Sequence, residues 1–181
     1  MEQNPAKEVI MFRGLAKGIG GLLLVLAVFG VAFMIGMRTK YPPVLTAVRR
    51  MNRAVMNPQA MKTAGQPGAY AGVVRHVGRK SGTRYETPIG PYPTDYGFDI
   101  ALPYGSSPDW LKNVVAAGSA VIVHEGVAYS VDLPELIPAA DAMDSVPPSE
   151  QRSIRAFAVD NFLRVRRVGL FDADESPNEA D

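Results

Sequence analysis

The segment Val77-Gly78-Arg79-Lys80-Ser81-Gly82 separates two runs rich in β-branched and aromatic residues, at positions 70–77 and 85–92. A glycine-bounded turn between two such runs is typical of a β-hairpin. Its two glycines also let the backbone turn tightly and bring N–H groups close to a ligand. The segment therefore predicts a pair of strands with a ligand-accessible turn between them.

The same turn is dense in donor groups. Arg79, Lys80, Ser81 and Arg84 offer cationic and hydroxyl donors within residues 78–84. Such a donor set suits a phosphate or a polycarboxylate. The residues alone also allow an ordinary basic hairpin turn, in which glycine, serine and charged residues accumulate for conformational reasons.

Further strand-like runs follow at positions 98–102, 120–124 and 127–133, and Glu125-Gly126 predicts a hairpin between the last two. Five or six short strands, mostly connected by hairpins, argue against alternating βαβ units. With two or three helices, they predict a mainly β fold in which helices cover the openings of a small barrel.

Two helices are expected within this domain. The first covers about 107–117, with Ser107 as its cap, Pro108 in its first turn and Gly118 just past its end. The second begins near position 147, and the run at 164–167 is either its end or a final strand. Its expected inward-facing residues are Ile154, Phe157, Ala158 and Phe162.

Residues 18–37 contain no charged residue. As a helix, this run would span about 30 Å, which is one membrane crossing. A signal peptide is the competing interpretation, but the run is longer than the usual apolar region and no small-x-small cleavage site follows it. We therefore expect a retained single-pass anchor in the cell membrane over residues 1–40, in contact with membrane lipid.

Flanking charge favours a cytoplasmic C-terminal part, because positive residues concentrate on the cytoplasmic side of membrane helices. Three positive charges precede the apolar run and five follow it: Lys7, Arg13 and Lys17, then Arg38, Lys40, Arg49, Arg50 and Arg53.

Residues 41–66 predict an amphipathic helix and a linker, because apolar residues at 44, 45, 48, 51 and 55 recur at helical spacing. Asn57-Pro58 is expected to end the helix, and Gly65-Gln66-Pro67-Gly68 to connect it to the domain. The arginines of this helix either contact anionic head-groups or stand in solvent on a helix packed against the domain.

Composition excludes several classes of site. The chain of 181 residues has 47% hydrophobic residues, a net charge of +1 and no cysteine. Disulfides, thiolate metal sites and cysteine nucleophiles are thereby excluded.

His76 and His124 have no second ligand at suitable spacing, so we predict structural histidines and no metal site. Basic residues cluster at the membrane flank and the turn, which argues against a nucleic-acid partner.

Several segments together resemble the deazaflavin-dependent nitroreductase and quinone reductase family. They are Val77-Gly78-Arg79-Lys80-Ser81-Gly82, Thr87-Pro88-Ile89, Ala101-Leu102-Pro103-Tyr104-Gly105, Asp109-Trp110-Leu111-Lys112-Asn113 and Ala116-Ala117-Gly118. The resemblance covers residues 70–133 and does not include the apolar segment. It implies a split β-barrel that binds coenzyme F(420), which we place over residues 67–171. Residues 172–181 contain five acidic residues and no basic one, and we expect them to form a disordered tail.

In that family, the Gly-Arg-Lys-Ser-Gly loop holds the phosphate and the oligoglutamate tail of the coenzyme. By position, the resemblance assigns this role to Gly78, Arg79, Lys80, Ser81, Gly82 and Arg84. It places the ring system against Thr87, Pro88 and Ile89 and against Pro103, Gly105, Ser106 and Ser107. Trp110 and Asn113 would lie on the helix that closes the pocket. The loop between Tyr104 and Trp110 is shorter than in better known members.

Two aromatic residues have alternative roles. Tyr104 is the candidate catalytic residue, because a phenol near a reduced acceptor can donate the proton that follows hydride transfer. A barrel-rim aromatic is the alternative for Tyr104. For Trp110, the single tryptophan, a core position competes with ligand contact.

The resemblance implies an oxidoreductase that takes its hydride from reduced coenzyme F(420). Together with the expected membrane anchor, which favours lipid-soluble partners, it predicts a membrane-anchored enzyme that transfers the hydride to a lipophilic small-molecule acceptor, such as a quinone or a nitro compound. Flavin mononucleotide (FMN) is the alternative cofactor, because a phosphate loop does not distinguish the two ring systems. A non-catalytic, membrane-tethered cofactor-binding protein is the alternative from another class. The resemblance also allows a homodimer, since split barrels often pair.

Overall fold

The structure is a computed structural model that describes the backbone of residues 5–171 and the side chains of residues 19–171. Within these residues, seven antiparallel strands form one curled half-barrel sheet in the order β2-β1-β5-β6-β7-β4-β3. Their bounds are β1 (Gly72–Val77), β2 (Arg84–Ile89), β3 (Pro91–Pro93), β4 (Gly97–Ala101), β5 (Ser119–His124), β6 (Val127–Pro138) and β7 (Asn161–Leu170). The predicted split-barrel class is confirmed; the acidic segment 172–181 lies outside the described residues.

The curl of the sheet follows from the interruption of the strand at Gly90. The run at 85–92, predicted as one strand, is divided there into β2 and β3, which occupy opposite ends of the strand order. Since one residue separates them in sequence, the two sheet edges must approach each other. Pro91 accordingly lies against β1, where a Cβ at Gly72 would be 2.7 Å from Pro91 Cγ. Gly72 permits this close approach.

The helices are α1 (Pro5–Arg38), α2 (Pro42–Met51), α3 (Asn57–Ala60), α4 (Asp109–Ala117), α5 (Ala139–Ala142) and α6 (Pro148–Ala156). A π-helical turn at Asn52–Met56 joins α2 to α3, and a 3-10 turn at Met143–Ser145 follows α5. Within α1, the segment Ile19–Arg38 is long and apolar enough to cross a membrane, with a mean hydropathy of 2.6 and 6% of the span buried.

The main core lies inside the curl of the sheet. Its fully buried members include Phe98, Ile100, Ile122 and Leu163, and Leu111 of α4 packs onto them. A second cluster under α5 and α6 contains Ile137, Ile154, Phe162 and the partly buried Phe157. Burying one such side chain stabilises the fold by about 1.5–3 kcal/mol, so α4 and α6 are held firmly over the barrel.

A buried ion pair joins the two central strands of one half of the sheet. Asp99 on β4 is 0% exposed, and Arg164 on β7 donates to both of its carboxylate oxygens at 2.7 and 2.8 Å. The two residues are register partners. Because both oxygens are paired, the charge of Asp99 is compensated although no solvent reaches it.

Helix α1 is attached to the domain through its C-terminal end. Arg38 donates to the main-chain carbonyls at positions 155 and 156, at 3.1 and 2.9 Å. Lys40 donates to those of Phe157 and Ala158, at 3.2 and 2.7 Å. A cation that satisfies carbonyls at the end of a helix is favourable. These contacts orient α1 relative to α6.

Residues 42–60 comprise α2, the π-helical turn and α3, and we call them the juxtamembrane helix because they follow the membrane-length segment. This helix packs on the domain, as one of its two predicted interpretations requires. Leu45 and Val48 are buried together with Met37, against Tyr104 and Phe157. Met51 and Val55, also predicted to belong to the apolar face, are instead exposed.

Several predicted boundaries are wrong. The helix predicted after position 41 does not end at Asn57-Pro58. In the π-helical turn, the Asn57 N–H donates its hydrogen bond to the carbonyl of Asn52, five residues earlier. This wider turn accommodates a proline that would disrupt a regular α-helix. Helix α4 begins at Asp109 with Pro108 at its N-cap, and Ser107 provides no cap.

Two further predictions need correction. Phe162 belongs to β7 rather than to the last helix, because Ala158 adopts a positive φ of 46° just beyond α6 and redirects the chain. Positions 164–167 are therefore strand. Gly65, expected in a linker, is buried in a packed turn, and its carbonyl accepts from the Gly126 N–H at 2.6 Å.

Candidate functional site: two adjoining cavities

The basic turn is closed by its own backbone. The Gly78 N–H donates to the Thr83 carbonyl, and the Gly82 N–H donates to the Gly78 carbonyl, both at 2.8 Å. Gly82 has a φ of 67°, a conformation that side chains other than glycine rarely adopt. A Cβ at Gly78 would lie 2.8 Å from the Tyr85 ring. Both glycines are therefore needed to form the turn, whatever it binds.

Two residues of helix α4 hold the Arg79 side chain in one orientation. Asn113 is buried on α4, and its Oδ1 accepts from the Arg79 main-chain N–H at 3.2 Å and from Nη1 at 2.8 Å. Asp109, one helical turn earlier, accepts from Nη2 at 3.3 Å. Leu111 and Val114 anchor this helix in the core. Arg79 is thus held at the cavity wall by a packed element.

The orientation of Asn113 in turn determines the state of His76. Because Asn113 Oδ1 faces Arg79, its Nδ2 donates to His76 Nδ1 at 3.2 Å. His76 Nε2 therefore carries the proton and donates to Thr87 Oγ1 at 3.2 Å. Burial lowers the pKa of His76, which favours this neutral ring. The structural role predicted for His76 stays a prediction, since this residue also lines the cavity beside the basic turn.

These residues surround a polar cavity of about 840 Å³ between the turn, β2, α4 and the juxtamembrane helix. Four basic side chains and two acidic ones line it. One acid, Glu86, also pairs at 2.8 Å with Arg75, which lies outside the lining. The basic members are Arg49, Arg53, Arg79 and Lys80. Their excess makes the cavity suited to an anionic ligand.

An apolar cavity of about 630 Å³ adjoins the polar one. Phe33 and Met37 of α1 line it, together with core side chains under α6. The two cavities share the six lining residues Asn52, Asn57, Pro88, Tyr104, Pro108 and Trp110. A ligand can therefore be anchored by charge on one side of this shared wall and meet an apolar molecule on the other.

One polar cluster interrupts the apolar cavity. Tyr70 and Tyr92 both donate to Glu150 Oε2, at 3.2 and 2.8 Å. Burial, and then the hydrogen bond to Glu150, raise the pKa of Tyr92; burial and the Glu150 charge raise that of Tyr70. Both phenols remain protonated near neutral pH, with their protons directed at Glu150.

The structure brings together most of the site residues predicted from the sequence. Those that line the polar cavity are Gly78, Arg79, Lys80, Ser81, Thr87, Pro88, Tyr104, Ser107, Trp110 and Asn113. Those that line the apolar cavity are Pro88, Ile89, Pro103, Tyr104, Gly105 and Trp110. Gly82, Arg84 and Ser106 line neither cavity.

The site residues predicted from the sequence include none from the juxtamembrane helix, although the sequence allows residues 41–56 to cover the pocket. Arg49, Asn52, Arg53 and Asn57 all line the polar cavity. Arg49 Nη1 donates to Ser107 Oγ at 2.6 Å, which joins the helix to the cavity rim. Arg49 and Arg53 are four residues apart and hence lie on one helical face. This spacing was the signal available in the sequence.

Comparisons with known proteins add little. No protein-family model matches the chain, and neither does any curated protein. One solved structure aligns with 61% of this chain and 77% of its own, at 13% identity and a TM-score of 0.34. A likeness of that size carries no argument about fold or function.

Within the described residues, no group of three or more histidine, aspartate or glutamate side chains is placed to hold a metal ion. The donor set of the polar cavity is instead cationic. Its side chains fit a phosphate or carboxylate ligand better than a metal.

Proposed function

We propose that this chain is a membrane-anchored oxidoreductase that transfers a hydride from reduced coenzyme F(420) to a lipophilic acceptor such as a quinone or a nitro compound. The observation that carries the proposal is the adjacency of a cationic cavity and an apolar cavity that share Tyr104 and Trp110. An anionic cofactor and an apolar acceptor require these two environments side by side.

The polar cavity fits the cofactor in charge. Arg79 and Lys80 supply cations, Ser81 supplies a hydroxyl, and 840 Å³ lies within the usual range of ligand cavities. When bound, the deazaflavin supplies the hydride. Arg79, positioned by Asn113, would hold the phosphate, and Trp110 and Pro88 would border the ring system.

The apolar cavity fits the acceptor. It extends to Phe33 and Met37 near the end of the membrane-spanning segment, so a lipid-soluble molecule would meet few polar groups there. Reduction of a quinone to the hydroquinone requires a hydride and one proton. Tyr104, which lines both cavities, would donate that proton and would regain one from solvent.

The membrane segment supports a cell-membrane location. The positive residues that follow the span favour a cytoplasmic domain, which is also the compartment in which we expect the coenzyme. The protein would contribute orientation of the two reactants and exclusion of water.

The decisive experiment is an equilibrium titration of the full-length protein in detergent micelles with oxidised F(420) and, separately, with FMN. Tight, salt-sensitive binding of the deazaflavin alone supports the proposal. Preference for FMN, or binding of neither molecule, would overturn it. Turnover of reduced cofactor with an added quinone then distinguishes an enzyme from a non-catalytic cofactor-binding protein, which would bind but not oxidise the cofactor.

A further inference from the structure

We infer that the juxtamembrane helix is a second anion-binding wall of the polar cavity, in addition to the basic turn, and that it selects ligands with two separated negative groups. Arg49 and Arg53 would receive the carboxylates of the oligoglutamate tail, while Arg79 and Lys80 hold the phosphate. The assignment to this tail rests on the proposed function. The two-walled anion site itself does not.

The first support is the rigidity of the helix. Leu45 and Val48 are buried against Tyr104 and Phe157. Gly36 lets the helix approach the end of α1, since a Cβ there would lie 2.7 Å from Val44 Cγ2. The helix is therefore packed on both sides, and the direction of its cationic face is determined by these contacts.

The second support is the arrangement of that face. Arg49 is held by Ser107 at 2.6 Å and by the carbonyl of Leu45 at 3.2 Å. Four residues later, Arg53 lines the same cavity. The π-helical turn at Asn52–Met56 adds one residue to the helical turn, and Asn57 beyond it also lines the cavity. Such turns are frequent at functional sites.

The third support is the balance of charge. Among residues 19–171, Arg49 and Arg53 form no ion pair, whereas Arg79 is paired with Asp109 at 3.3 Å. On the turn, Lys80 also lines the cavity and forms no ion pair among residues 19–171. Cations without a matching acid on both walls favour a ligand that is anionic at two points. FMN, with one phosphate, would satisfy only one wall.

The test uses full-length protein in micelles and four variants: Arg49→Met, Arg53→Met, the double variant and Arg50→Met. Arg50 is the matched control, because it is exposed on the same helix and does not line the cavity. The probes are F(420) with a long oligoglutamate tail, F(420) with a single glutamate, and inorganic tripolyphosphate.

For the long-tailed coenzyme, we expect Arg53→Met to raise the Kd about fivefold and the double variant about twentyfold at low salt. The double variant should also lose the preference for the longer tail, and Arg50→Met should change nothing. Arg53→Met is the cleaner single variant, since Arg49 also supports the fold through Ser107.

The outcomes separate this inference from the proposed function. If wild type binds F(420) and the double variant binds it equally well, or if Arg50→Met causes the same loss, the second wall is disproved and the cofactor assignment stands. If wild type binds tripolyphosphate but not F(420), and the double variant loses that binding, the two-walled anion site stands and the cofactor assignment fails. Binding of no probe overturns both.

Discussion

Asn113 Oδ1 accepts a hydrogen bond of 2.8 Å from the Arg79 guanidinium, and the two residues are 34 positions apart in the chain. This contact joins the basic turn to α4. It means that the cation best placed to hold an anion is itself held by a buried amide.

Replacing Asn113 with leucine should weaken anion binding without removing any cation from the cavity. Loss of a hydrogen bond to a charged group costs about 1.5–3 kcal/mol, so we expect the Kd for F(420) or tripolyphosphate to rise about tenfold or more. The matched control is Lys112→Ala, an exposed neighbour on the same helix. Equal effects in both variants would contradict the positioning role of Asn113.

Two basic residues of the turn, Lys80 and Arg84, can be compared as a test variant and its control. Lys80 lines the polar cavity, whereas Arg84 is exposed and lines neither cavity. Lys80→Ala should therefore raise the Kd for an anionic ligand about fivefold at low salt, and Arg84→Ala should leave it nearly unchanged. Fluorescence titration at two salt concentrations measures both. An Arg84→Ala effect as large as that of Lys80→Ala would restore the assignment that the sequence alone made.

Stability should depend on pH through His76. Burial lowers the pKa of this histidine below its ordinary value of about 6.5, so the unfolded chain binds the proton more readily than the folded protein. The contribution of His76 to stability is therefore complete above about pH 6.5 and is lost as pH falls through the lower folded-state pKa.

The corresponding measurement is the free energy of unfolding of the full-length protein in micelles between pH 7.5 and 5. The neighbours of the ring are the amide Asn113, the hydroxyl of Thr87 and the stacked ring of Tyr85, at a centroid distance of 5.7 Å. His76→Gln should flatten the pH dependence in this window. A slope unchanged by that substitution would show that another group titrates there.

Tyr104→Phe tests the proton donor. The substitution keeps the aromatic wall that both cavities share and removes only the hydroxyl. We expect the Kd for F(420) to change little and the turnover with a quinone to fall by about a hundredfold, the lower limit for losing a general acid. Unchanged turnover would leave Tyr104 as a purely structural rim residue.

Among these variants, we expect the largest loss of stability when the buried ion pair between Asp99 and Arg164 is broken. Arg164→Met would leave the Asp99 carboxylate, which is 0% exposed, without a partner, at a cost of about 3–5 kcal/mol. Arg166→Met, two residues along the same strand, breaks the largely exposed pair with Asp132 and should cost far less. Chemical denaturation of both variants compares them directly. Similar losses would mean that solvent reaches Asp99.

The sequence by itself determined the local elements of this protein. Alternating apolar runs, the Gly78 to Gly82 turn, the Glu125-Gly126 hairpin and the uncharged run at 18–37 indicate strands, turns and a membrane-length helix. These features depend on neighbouring residues, whose side-chain period and backbone preferences are legible in sequence. The strands and helices at these positions confirm them.

Only the tertiary structure decided which of these elements meet. Because the strand is interrupted at Gly90, β2 and β3 lie at opposite ends of the strand order. The π-helical turn lets the juxtamembrane helix continue beyond Pro58. Arg49 and Arg53 thereby line the polar cavity, while Arg84 does not. The physical reason is that such contacts depend on long-range strand pairing and on the packing of Leu45 and Val48. A local pattern shows that a face is apolar but not which surface will cover it.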